Sequence, residues 1–234
     1  MIAALHSIGI QNTGVFFTSI SITLILSVLA IVASKNMQMV PYGLQNVAEW
    51  AVGSLHDFFT GVMGERACRR YFPLIATLFI YIMFSNYSGL LPMSGKLPVL
   101  AAPTGSFNTP AALAIVVFFA TQVVGFREFH GPRYLLTFFK PVAFLAPLMI
   151  IEQFTKPLSL TLRLYGNIFG EEAVTESFFE LCPIGLPVVL QMLSVLMGLV
   201  QALVFSLLTA VYLAEVVETA EEDEHERELK KARP

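Results

Sequence analysis

Arg163 lies in a long apolar stretch with no Asp or Glu three or four positions to either side. On a helix, Glu152, Lys156, Ser159, Arg163 and Asn167 share one face. Glu152 and Lys156 are spaced i,i+4 and are expected to pair. Gly166 and Gly170 flank the same face, and small residues there let another helix come close. A cation at mid-bilayer costs at least ~2.5–3.5 kcal/mol on insertion scales. One reading is an arginine that snorkels to an interface or pairs within the chain. The other is a fixed cation whose counter-charge is a carboxylate on another chain that comes and goes. The cleared glycine face and the missing local acid argue for the second.

A second set of groups could move protons. Glu171, Glu172, Glu176 and Glu180 cluster beyond Arg163, with Glu172 nine residues on and so on the opposite face. Carboxylates entering a bilayer from one side suggest a hydrated vestibule for protons or cations. The plainer alternative places Glu176 and Glu180 at the interface, solvated and idle. Further on, Gln191, Ser194, Gly198, Gln201, Thr209, Tyr212 and Glu215 form a sparse polar seam on one broad face. A buried Gln in a membrane helix needs a partner, and the neighbour bearing Arg163 and Asn167 is the expected one. Gly198 and Ser194 also read as helix-packing positions. There is no P-loop, G-x-G-x-x-G or H-E-x-x-H. His6, His56, His130 and His225 all fall outside the predicted spans, so no histidine relay is expected within the membrane. Cys68 and Cys182 have no partner spacing. No cofactor or metal site is expected.

These groups must be held by membrane helices. Of 234 residues, 56% are apolar and 13% charged, with a mean hydropathy of +0.70. An average soluble chain is roughly 25% charged, so a soluble enzyme and a disordered chain are both excluded. The net charge of −3 offers nothing to nucleic acid. No charged residue precedes Lys35, and none lies within 71–95, 97–126 or 181–214. Each gap exceeds the ~20 residues that a helix needs to cross a ~30 Å hydrocarbon core. Spans are expected near 14–34, 72–91, 110–126 and 186–217. The first lacks a basic flank and a clear cleavage site and reads as a retained span.

The segment 141–180 counts as a fifth span. As one helix it would run ~60 Å, so it must tilt strongly or break, with Pro147 and Pro157 as the expected bends. The segment 40–64 is no span. Its Leu44, Val47, Trp50, Ala51, Leu55, Phe58 and Phe59 recur at helical spacing, as in an amphipathic helix on a membrane surface. The loop 92–109 reads as an external or re-entrant connection. The bases cluster in 35–70, 127–140 and the tail, whereas 92–109 holds only Lys96. The positive-inside rule puts those clusters and the C-terminus in the cytoplasm and the N-terminus outside, a parity that five spans satisfy. The expected fold is an all-α polytopic membrane domain over 1–217, followed by a charged cytoplasmic tail over 218–234 that reads as a solvated helix end.

The string Lys156-Pro-Leu-Ser-Leu-Thr-Leu-Arg-Leu-Tyr-Gly-Asn-Ile-Phe-Gly-Glu-Glu172 closely resembles the signature of subunit a of F-type ATP synthase. The block from Gln201 to Tyr212 resembles that family's last helix, and the Asn86…Leu90-Leu91-Pro92 segment resembles its second span. The likeness runs through the chain in span order. The Ile151–Thr155 lead-in and Glu215 look closer to the chloroplast and Gram-positive-like branch than to the enterobacterial one.

The resemblance implies roles by position. Arg163 matches the essential arginine that faces the rotor ring of c subunits, and Asn167 the asparagine one turn on. Glu172 matches the acid of the external half-channel, Gln201 the glutamine beside the arginine, and Asn86 a polar residue of the entry path. Two departures stand out: Ser194 replaces a histidine of the enterobacterial branch, and Gly89 replaces an aspartate. The external route here is then wetted by Glu171, Glu172 and Glu176, and Glu215 lies toward a cytoplasmic half-channel. The implied partners are the c-ring, the peripheral-stalk b subunits, the rest of the ATP synthase and the lipid bilayer. The implied location is a bacterial plasma membrane or a thylakoid. The chain would bind no nucleotide and be no enzyme by itself. A sodium-translocating synthase and a self-contained secondary transporter are the alternatives, although the latter usually shows internal repeats, which are not seen here.

Overall fold

The computed structural model describes residues 13–35, 43–90, 102–129, 131, 134, 146–181 and 185–232. No strand occurs among them. Lipid offers the backbone no hydrogen bonds, so a spanning segment must satisfy its own, and helices do. The elements are α1 (Thr13–Ser34), α2 (Leu44–Met63), α3 (Glu65–Gly89), a short 3-10 turn (Pro103–Gly105), α4 (Asn108–Glu128), α5 (Ala146–Leu181) and α6 (Leu186–Ala232). Among the described residues, α1, α3, α4 and much of α6 are long and apolar enough to cross a membrane. The chain is an all-α polytopic membrane protein.

Helix ends differ from the expected ones where charge begins. The helix expected over 72–91 starts at Glu65 and continues through Pro73. Its first turns carry Arg66 and Arg70, which pair across to Glu221 of α6 at 2.8 Å and Glu128 of α4 at 2.6 Å. Helix α6 runs 47 residues to Ala232, so the charged tail is the end of the last helix, as its run of charges leads one to expect. Hydropathy marks where a helix leaves lipid, not where it ends. The helix expected over 40–64 is observed from Leu44, with 40–42 outside the described residues. Only Gly64, at φ 76°, separates α2 from α3. A Cβ there would meet no atom within 4 Å, so the backbone angle, not space, favours glycine.

Helix α5 is continuous over 36 residues, or about 54 Å. The break allowed for at Pro157 does not occur, and the helix runs through it. Pro147 falls in the first turn, where its missing N–H breaks no helical bond. Residues 141–145, part of the expected span, and 182–184, part of the stretch Cys182–Pro187 whose prolines and glycine are expected to reverse the chain, lie outside the described residues, as does most of the 92–109 loop.

Two apolar clusters join the helices. In one, Leu78 and Ile82 of α3, Ala114 and Val117 of α4, Leu160 and Leu164 of α5, and Ala202 and Phe205 of α6 pack together. In the other, Phe59 and Met63 of α2 pack with Cys68, Tyr71 and Ile75 of α3 and with Leu213 and Val217 of α6. Helix α1 is peripheral. It buries Val15, Thr18 and Ile22 and leaves Leu24, Ile25, Val28 and Ile31 outward, as a lipid-facing helix does.

Candidate functional site

Leu160 and Leu164 turn inward from the middle of α5 into the four-helix cluster. With that stripe committed to the core, Arg163 is left on the outer face, exposed, close to the midpoint of the helix. Among the described residues it makes no hydrogen bond or ion pair. A Cβ added to Gly166 or Gly170 would meet nothing within 4 Å, so the surface beside the guanidinium is open. One turn on, Asn167 is half-buried and its Nδ2 has no hydrogen-bond partner among the described residues. Glu171 is half-buried. Glu172 and Glu176 lie in the last turns of α5, and their side chains are outside the described residues.

At one end of the face, Lys156 forms the expected pair with Glu152, at 3.2 Å. It also donates at 2.7 Å to Glu215 of α6 and lies 5.1 Å from the centroid of the Tyr212 ring. These groups border a cavity of about 460 Å³ between α4, α5 and α6, lined also by Tyr134 and Gln153. The Glu152–Lys156 pair is legible from local spacing. The Lys156–Glu215 pair is not, because its partners lie on different helices.

At the other end, α6 crosses α3. Asn86 donates from Nδ2 to the carbonyl of Gly198 at 2.9 Å, and Gln191 donates to the carbonyl of Leu90 at 3.2 Å. A Cβ on Gly198 would lie 3.2 Å from that of Asn86, which makes Gly198 a close-packing position. Ser194 is buried and bonds back to Leu190 of its own helix. Gly89 is explained the same way as Gly198: a Cβ on it would fall 2.7 Å from the Ala102 Cβ.

The expected partner for Gln201 is not found. Gln201 is buried and its Nε2, like Nδ2 of Asn167, has no partner among the described residues. The neighbouring helices bring apolar groups together there, Leu160 and Leu164 against Ala202 and Phe205. Sequence patterns do not single out Ser85 and Ser206, both fully buried, whose hydroxyls have no partner among the described residues. Their only signal is a polar residue in an apolar span. Buried polar atoms without protein partners are where ordered water sits, provided there is room.

Fold and site together define a polytopic helical membrane protein that presents an uncompensated cation on an open helix face. The profile of the family described as ATP synthase A chain matches residues 15–214. The chain belongs to that family, whose members are the membrane-sector subunit a of ATP synthase. It is 41% identical to ATP synthase subunit a 3 of Pelobacter propionicus over 224 residues, covering 94% of each chain. It is 42% identical to ATP synthase subunit a of Trichlorobacter lovleyi over 220 residues, 92% of each. It is 41% identical to that of Geobacter sulfurreducens over 199 residues, 83% of each.

Proposed function

We propose that this chain is the stator of the proton-driven rotary motor, offering two offset half-channels to a ring of c subunits. The observation that carries this reading is Arg163: a mid-helix cation, exposed, with no partner among the described residues and with open space beside it. A fixed charge so placed calls for a counter-charge from outside the chain. The supporting topology has five spans, with α5 as the fifth because Leu160 and Leu164 share one core with α3, α4 and α6. The end bearing Arg66, Arg69 and Arg70 then faces the cytoplasm.

In this mechanism, protons enter from outside near Glu172. Among the described residues, the buried Asn167 Nδ2, Gln201 Nε2 and Asn86 Oδ1 have no hydrogen-bond partner, which supports a wet route there. The incoming protons neutralise a ring carboxylate, which turns through lipid in its protonated form. On return the carboxylate meets Arg163. A neighbouring cation favours the ionised carboxylate, so the proton is released. It leaves through the cavity at Tyr212 and Glu215. An arginine keeps its own proton and so blocks direct passage between the half-channels. The ring, the peripheral-stalk b subunits and a bacterial plasma membrane complete the setting.

The test is Arg163→Ala and Arg163→Lys in the assembled synthase. Both are expected to abolish ATP synthesis while the ring still co-purifies, and Ala is expected to leak more protons than Lys. A well-assembled Ala variant that synthesises ATP at near-normal rate would overturn the mechanism.

A further inference from the structure

Glu215 is the one carboxylate that α6 places against Lys156, and Lys156 is its side-chain partner among the described residues. The lysine is the buried member: its side chain is 16% exposed, against 54% for Glu215 and 56% for Glu152. An ammonium has three donors and no acceptor. Here it reaches one carboxylate on its own helix and one on the next, and its charge lies over the Tyr212 ring. Its position is therefore held by three groups on two helices, whereas Glu215 is held by the lysine. Arg163 lies two turns along the same face of α5, about 10 Å on. Of the α5 residues that line the cavity bordered by Glu152, Tyr212 and Glu215, Lys156 is the one nearest Arg163 in the chain.

We infer that Lys156 is a positioning residue for proton exit: it holds the Glu215 carboxylate across the α5–α6 interface at the inner wall of the cavity. The inference rests on the reading that protons leave through this cavity. Without the ammonium, Glu152 and Glu215 face each other as like charges, and the Glu215 side chain is free to swing toward bulk water. A proton released beside Arg163 then has no acceptor held at a set distance.

The experiment uses the assembled synthase in inverted vesicles. It reads ATP-driven proton pumping, passive proton flux after the soluble head is stripped, and co-purification of the ring. Lys156→Met keeps the stem beside Tyr212 and removes the charge. Both fluxes should fall about threefold or more, a loss typical of one member of a coupled network, with assembly unchanged. Lys156→Arg, which keeps a cation able to stack on tyrosine, should recover most of the flux. Because the lysine acts through Glu215, Lys156→Met combined with Glu215→Gln should be no worse than Glu215→Gln alone. Additive losses in the double variant, or full flux in an assembled Lys156→Met, would overturn the role of Lys156. If Glu215→Gln slows flux and Lys156→Met does not, this role alone fails. Full flux in Glu215→Gln removes the exit route itself, and this inference with it.

Discussion

The Asn86 amide and the Gly198 carbonyl meet at 2.9 Å, so α3 and α6 cross where α6 has no side chain. The contact sits beside buried Gln201 and sets how closely the polar groups of the two helices approach. In lipid, such small-residue crossings hold helices together by packing, since exclusion from water no longer drives them.

Gly198→Leu should therefore force α3 and α6 apart. Overpacking of this kind costs about 1–3 kcal/mol. The purified complex should melt at a lower temperature and synthesise ATP more slowly, with Gly198→Ala affected less. An unchanged melting temperature for the Leu variant would show that the crossing is not tight.

Gly166 should behave in the opposite way. A side chain there meets nothing in this chain, and replacing a helical glycine with a better helix former gains up to about 1 kcal/mol. Gly166→Leu should leave the subunit's own accumulation intact. It should cut coupled ATP synthesis at least several-fold by filling the space proposed for the ring. Normal synthesis with a leucine in place would mean that no partner approaches this face.

Glu172→Gln removes a titratable group from the proposed external route. ATP synthesis driven by a proton gradient should fall roughly tenfold or more, in line with the loss of a proton-transfer group, while the complex still assembles. Undiminished coupling would shift the role to Glu171 or Glu176, or remove it from all three.

Helix α2 tests the orientation. Its Gln45 and Glu49 are hydrogen-bonded to each other at 2.7 Å on the polar side, while Val47 and Trp50 are exposed on the apolar side. Cysteines replacing Gln45 or Glu49 should react with an impermeant reagent only from the cytoplasmic face. Labelling from outside would reverse the topology and remove the fifth span from the count.

Much of this protein is legible in the order of its residues. Charge-free runs mark the spans because lipid tolerates few charges. The isolation of Arg163 and the Glu152–Lys156 pair follow from helical spacing, which is a local property. The helix start at Glu65 is not legible, because a charged turn outside lipid looks like a loop to a hydropathy reading.

Helical spacing alone says which residues share a face. Packing between helices settles which face meets which, and at what height. Arg66 finds Glu221, Arg70 finds Glu128 and Lys156 finds Glu215 only once packing has set the register between helices. The same register leaves Gln201 without the partner expected for it. Gly89 and Gly166 show the division most plainly. In sequence each is one glycine in an apolar helix. In the fold, Gly89 is crowded by Ala102 and Gly166 stands in open space. Helical periodicity fixes a residue's angle around its own axis, but the distance to the next helix is set by every side chain along the contact.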